Sequence, residues 1–239
     1  MQASYAGIML MAVASGHLVS RRTQSRLPLA RSQQIAIALG AICGGFLGAK
    51  LPFVLSDWDG LMSGRAWLDN GKTITFGLVG GYFGVEMAKW ATDVRIRTGD
   101  SFAVLVAVSI GIGRLACFAA GCCHGTATTL PWGVDFGDGV LRHPTQIYEM
   151  LFHLTAAAVL AWLQHRRMLR GQLIKLYFIA YFAYRFLTEF IRPEPKLWLE
   201  LTGYQWAALA FIPLFILLWR HDARDLATGG DLCPVKVTP

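Results

Sequence analysis

Charge is scarce in this chain. Only 15% of its 239 residues are Asp, Glu, Lys or Arg, against 54% that are apolar. An ordinary soluble domain carries roughly a quarter of its residues as charge, so this balance excludes that class and indicates a helical membrane protein. The mean hydropathy of +0.44 agrees. Internal repeats with a period of roughly 20–50 residues are absent, which excludes solenoids and propellers. Positive charge is missing ahead of the first apolar run, where a secretory signal would carry it. Arg21 and Arg22 follow that run instead, the pattern of an anchor whose N-terminus lies outside. No lipidation or organelle-targeting motif is evident.

Long apolar runs are what the chain does have. Seven segments, approximately 3–20, 34–55, 74–92, 101–120, 146–164, 173–191 and 204–219, reach or approach the length needed to cross about 30 Å of hydrocarbon. The connections carrying Arg21, Arg22, Arg26 and Arg31, then Lys89, Arg95 and Arg97, then Arg166, Arg167, Arg170 and Lys175, alternate along the chain, and the tail adds Arg220, Arg224 and Lys236. Cytoplasmic loops collect Lys and Arg. The expected fold is therefore all-α. It is a polytopic integral membrane protein of about seven transmembrane helices, N-terminus out and C-terminus in, with one domain over 1–239. A bacterial cytoplasmic (inner) membrane is the expected home. The net charge of +7 is mostly this topology signal, and it favours anionic lipid surfaces. Spread over short loops, it argues against a nucleic-acid partner.

The predicted outer face is the elaborated one. The stretch from Gly121 to Thr145, "GCCHGTATTLPWGVDFGDGVLRHPT", is too polar and glycine-rich to span. Ser56 to Lys72, with Trp58 and Trp67, reads as a second outer loop, and Arg192 to Thr202 as a third. Two arginines lie inside apolar runs close to that face: Arg114 within Phe102 to Ala120, and Arg185 within Leu176 to Ile191. A charge at membrane depth costs about 3 kcal/mol or more, so such groups face a cavity or a partner. Together they suggest one buried anion site, with a phospholipid headgroup as its ligand. Arg185, Glu189 and Arg192 are spaced to share a helical face, with Tyr181 one turn earlier. Glu189 then either makes Arg185 tolerable as an ion pair or holds it to clamp phosphate, for which a planar guanidinium is suited. Glu149, at the start of a predicted helix, reads as a dipole-stabilised charge or as a site residue. His143, restricted by Pro144, reads as an interfacial residue or a base.

The cysteines number five: Cys43, Cys117, Cys122, Cys123 and Cys233. Cys43 reads as a small packing residue. Cys117, Cys122, Cys123 and His124 form a zinc-like set of residue types. The pattern argues against a metal, because adjacent cysteines point apart unless the backbone turns sharply, and no distant ligand pair follows. Packing as free thiols and a disulfide on an oxidising face stay open. No metal and no cofactor is expected. Gly40, Gly44 and Gly48 recur every four residues, and Gly77, Gly80, Gly81 and Gly84 line another segment. Both point to close helix packing.

The stretches "GRLACFAAGCCHGTATTLPWGVDF", "RHPTQIYE", "YRFLTEFIRP" and "GYQW", in this order over about residues 74–208, resemble the prolipoprotein diacylglyceryl transferase family. That resemblance implies seven spans and transfer of a diacylglyceryl group from phosphatidylglycerol to the lipobox cysteine of a secreted prolipoprotein. It assigns Arg114 and Arg185 to the phosphate. It places Glu189 and Arg192 in the second motif, Gly125 at the close of the first, and His143, Tyr148 and Glu149 in the "HPxQxYE" element. Gln205 falls on a late Gly-x-Gln element and Tyr5 on an early tyrosine. The expected catalytic set is Arg114, Arg185, Glu189, His143 and Glu149. Gly125, Arg192, Tyr148, Gln205 and Tyr5 join the two arginines in binding substrate. The chain departs from the family pattern where Thr75 stands in place of a histidine, and where Cys117, Ala120 and Cys122 stand in place of polar partners. An acceptor other than the lipobox cysteine, or a non-catalytic lipid-binding or redox protein, is the alternative reading.

Overall fold

The computed structural model describes residues 2–24, 27–68, 71 and 73–227. Helix dominates it. In chain order the elements are α1 (Gln2–Gln24), α2 (Arg31–Ser56), α3 (Trp58–Ser63), α4 (Arg65–Leu68), α5 (Ile74–Ala91), α6 (Gly99–Ala119), β1 (Val134–Asp135), β2 (Leu141–Arg142), α7 (Thr145–His165), α8 (Leu173–Thr188) and α9 (Gly203–Ala227). A helix thus covers each of the seven apolar segments. Four helices, α2, α6, α7 and most of α9, are long and apolar enough to cross a membrane. Their large apolar side chains point outward, among them Ile42, Leu55, Leu151, Trp162 and Leu217. Exposed apolar side chains along helices of this length suit a lipid environment. The predicted loop 56–72 carries the short helices α3 and α4 instead of an open connection.

The chain forms two compact units. Among the described residues, one comprises 28–96, and the other comprises the first helix with 97–227. In the smaller unit α2 packs on α5 through the predicted glycine faces. A Cβ on Gly44 would sit 2.3 Å from the Gly80 carbonyl oxygen, and one on Gly48 would sit 2.4 Å from that of Phe76. Only glycine permits this approach. Cys43, expected to be buried packing, is exposed. The glycines hold the α5 contact and turn position 43 away from it. Thr75 lies buried in the first turn of α5.

The larger unit holds α1 and α6 to α9. At its basic end, the Asp100 carboxylate accepts the Gly171 and Leu173 backbone N–H groups at 2.6 and 2.9 Å, capping α8. Asp222 of α9 pairs there with Lys175 and Arg97. At the opposite end the α6–α7 connection folds into a short hairpin, β1 against β2, with Val134 opposite Arg142. The Asp135 carboxylate closes its turn by accepting the N–H groups of Gly137, Asp138 and Gly139 at 2.8, 3.1 and 3.0 Å. Thr126 N–H donates to the Ile191 carbonyl at 2.9 Å, tying this connection to the end of α8.

Candidate active site

Glu149 is the centre of the larger unit. It lies one turn into α7 and is 1% exposed, deeper than a helix-start charge would be. Arg114 of α6 donates to its Oε1 at 2.6 Å, and Tyr181 of α8 donates to the same oxygen at 2.8 Å. Arg192 donates to Oε2 at 2.9 Å. Arg185 Nη1 stands 3.9 Å from Oε2, while its Nη2 pairs with Glu189 at 2.9 Å. The Arg185 guanidinium also lies over the Tyr204 ring, 4.7 Å from its centroid. Three guanidiniums therefore share two buried carboxylates, leaving one positive charge in excess. Arg114 Nε, Arg185 Nη1 and Arg192 Nε are buried donors with no hydrogen-bond partner among the described residues. An orphaned charged donor is costly inside a protein, which leaves these three able to take acceptor oxygens; both oxygens of Glu189 at the same centre also lack a hydrogen bond among the described residues.

Arg192 reaches Glu149 by a route different from the predicted helical face. The α-helix stops at Thr188, and Glu189–Ile191 form a single 3-10 turn. Arg192 is extended, with φ −107° and ψ 146°. Pro193 follows, and a residue before proline is pushed out of the helical region. The chain leaves α8 there, which swings Arg192 onto α7.

The other predicted site residues take separate places. His143 Nδ1 lies 3.4 Å from the Tyr148 hydroxyl, which also accepts from the Trp132 indole at 2.7 Å. Tyr148 stands at one end of an apolar groove of about 530 Å³ between α7 and α8, lined by Leu151, Phe152, Thr155, Tyr177 and Tyr184. Gly125 is buried, and a Cβ there would sit 2.6 Å from the Ile191 carbonyl oxygen, so it allows the α6–α7 connection to close on the end of α8. Gln205 caps α9: its Oε1 accepts the Thr202 N–H at 2.9 Å, its own N–H donates to Thr202 Oγ1 at 3.3 Å, and its Nε2 donates to the Phe186 carbonyl at 3.3 Å. Those bonds occupy it as a capping box. Tyr5 belongs to α1, with its side chain outside the described part of the structure, as is all of Cys233.

Two groups at this centre were not among the predicted site residues. His153, one turn beyond Glu149 on α7, is fully buried, with Nε2 3.8 Å from Glu149 Oε1 and Nδ1 2.9 Å from the Tyr177 hydroxyl. A histidine in mid-span carries the same signal as Arg114, and the helical spacing from Glu149 marks it. The second is the thiol cluster. The Sγ atoms of Cys117, Cys122 and Cys123 all lie within 4.8 Å of one another. Cys123 adopts φ +62° after Gly121 at φ +67°, which is the sharp turn that brings adjacent cysteines together. Gln146 donates to the Cys122 carbonyl at 2.6 Å and Thr145 to that of Cys123 at 2.7 Å. A hydrogen bond from Cys117 and the charges of Arg114 and Arg192 lower the pKa of the Cys123 thiol.

Apolar helices long enough to cross a bilayer, together with a buried cluster of arginines and carboxylates in the larger unit, define an integral membrane protein. A family model described as prolipoprotein diacylglyceryl transferase matches residues 3–220. A phosphatidylglycerol-prolipoprotein diacylglyceryl transferase from Clostridium tetani is 34% identical over 67% of this chain and 68% of its own length. One of the same name from Geobacter sulfurreducens is 30% identical over 89% of this chain and 86% of its own. The chain belongs to the prolipoprotein diacylglyceryl transferase family.

Proposed function

We propose that this protein transfers the diacylglyceryl group of phosphatidylglycerol to the lipobox cysteine of a secreted prolipoprotein, a step of lipoprotein biosynthesis. The observation that carries this reading is the excess guanidinium charge around Glu149, with its three orphaned donors. The acceptor sulfur attacks the glyceryl carbon that bears the phosphate. The carbon–oxygen bond breaks, and glycerol phosphate leaves with the electron pair. Charge then grows on the phosphate oxygens, and preorganised donors there stabilise it. Arg114 and Arg185 bind the phosphate, Arg192 completes the clamp, and Glu149 and Glu189 hold the guanidiniums in place. Tyr148, His143 and Gly125 form the adjoining wall of the site, with His143 the base candidate nearest the connection between α6 and α7. An acyl chain lies in the apolar groove between α7 and α8, whose lining is almost wholly hydrocarbon.

All seven apolar helices span the bilayer in this reading, with the α6–α7 connection on the outer face of a bacterial inner membrane and the chain's basic connections inside. The shorter α8, at 16 residues, spans with the help of its 3-10 extension. Incubation of purified protein with labelled phosphatidylglycerol and a lipobox peptide tests the assignment. Label is expected on the peptide cysteine with the native chain, and at least roughly a hundredfold less with Arg185→Ala. Release of glycerol phosphate with an unlabelled peptide would reject the acceptor, and equal labelling by Arg185→Ala would reject the clamp.

A further inference from the structure

We propose that Cys117, Cys122 and Cys123 form a three-thiolate site for a thiophilic divalent cation such as zinc, and that its open fourth position takes the acceptor thiol. The proposal rests on the transferase reading and gives the acceptor thiol a route to its thiolate that does not depend on the base candidate His143. The geometry meets the condition that the bare spacing does not. The positive φ at Gly121 and Cys123 folds the chain back on the end of α6 and gathers all three sulfurs within 4.8 Å. Thiolates about 2.3 Å from a tetrahedral zinc lie roughly 3.8 Å apart, so shifts of about 1 Å or less close the set on an ion. The turn is held rigidly by Thr145 and Gln146, by Cys122 N–H donating to the Cys117 carbonyl at 3.1 Å, and by the Gly125 N–H donating to His143 O at 2.8 Å. Such support is what a functional metal site needs.

The number of ligands points to chemistry. Four protein ligands close a structural zinc site, whereas three leave a position for a reacting group. His124 is not the fourth, because its ring stacks on Phe136 at 5.1 Å between centroids and its Nδ1 lies against the Gly125 carbonyl. The location points to the acceptor. Cys117 is one helical turn from Arg114 on α6. Gln146, which binds the Cys122 carbonyl, is one turn from Glu149 on α7. A sulfur nucleophile bound at the cluster therefore sits beside the cationic centre that takes the leaving phosphate. The transfer needs a thiolate, and a free thiol has a pKa of about 8.5. Glu149 and Glu189 are both engaged by arginines and are poor bases. A thiol that coordinates a divalent cation is deprotonated outright. The acceptor thiol loses its proton to water on binding the ion. Its sulfur then forms the bond to the glyceryl carbon, the carbon–oxygen bond breaks, and the pair leaves with the phosphate oxygen. The ion keeps its oxidation state, and the neutral thioether product binds it weakly and departs.

The test uses the full-length protein in detergent, stripped with a chelator and reloaded with zinc or cobalt(II). About one ion per chain is expected, with sulfur-to-cobalt charge-transfer absorption in the cobalt form. Cys122→Ser and Cys123→Ser should abolish that band, and Cys43→Ser should keep it. Adding a lipobox peptide should shift the cobalt spectrum, and a Cys→Ser peptide should not. Chelation should lower lipid transfer by roughly a hundredfold, with recovery on adding zinc, a comparison that needs no variant. Intact transfer in a chain that binds no metal overturns the proposal and leaves the transferase reading standing. A bound ion whose spectrum ignores the thiol peptide overturns the fourth-ligand role. A thiol-dependent spectrum with no transfer in any form supports the metal site and counts against the transferase reading instead.

Discussion

Glu149 is the residue on which the larger unit depends most. Its two oxygens take Arg114, Tyr181 and Arg192 directly, and Arg185 stands close by. A buried ion pair adds little net stability, but removing one partner strands the other charge at about 3–5 kcal/mol. Glu149→Gln is therefore expected to lower unfolding free energy by about that amount, measured by denaturant titration in detergent. A stability equal to that of the native chain would mean the guanidiniums find water or other partners. Tyr181→Phe removes only a hydroxyl that donates to a carboxylate, so its expected cost is smaller, about 1.5–3 kcal/mol. The order of the two variants is the sharper check, since it separates a lost charge from a lost hydrogen bond. His153, pinned between Glu149 and Tyr177, joins the same network, and its role was legible only in principle from its place four residues beyond Glu149.

At the scale of elements, the α2–α5 pair shows sequence and structure in direct agreement. The four-residue glycine spacing requires a flat helix face, and the two backbones meet across it. Gly44→Val puts carbon where the Gly80 carbonyl oxygen stands, 2.3 Å from the added Cβ. Overpacking of this kind costs about 1–3 kcal/mol or more. Gly7→Ala, where nothing lies within 4 Å of the added carbon, should stay within about 0.5 kcal/mol of the native chain. Equal melting temperatures for the two variants would show that the close approach carries no stability. The end of α8 teaches the opposite lesson. Helical spacing alone places Arg192 with Arg185 on one face, but Pro193 ends the helix first and sends Arg192 to another partner.

For the whole molecule, the positive loops and the polar α6–α7 connection predict opposite sides of a membrane. The hairpin around Gly137–Gly139 should lie outside, and the end of α9 inside. A fusion of a periplasm-activated phosphatase at residue 139 is expected to be active, and a fluorescent protein fused after residue 227 is expected to fluoresce in the cytoplasm. An inactive phosphatase at 139 would reverse the orientation. It would also move the acceptor site away from secreted substrates.

Hydropathy alone determined that the chain is helical and belongs in a bilayer, because each apolar helix satisfies its own backbone and needs no distant partner to do so. It also marked Arg114 and Arg185, since a charge in an apolar run is conspicuous without any structure. Residue types marked the thiols, but not their convergence. Only the tertiary structure decided that Glu149 sits among three arginines, that Gln205 is a helix cap, and that three sulfurs meet. Arg114 and Arg192 lie 35 and 43 residues from Glu149, so no local period links them. The turn at Cys123 uses a positive φ that a non-glycine residue adopts only when surrounding bonds enforce it. Those bonds come from Thr145 and Gln146 on a separate helix, and their effect on the thiols exists only once the helices have packed.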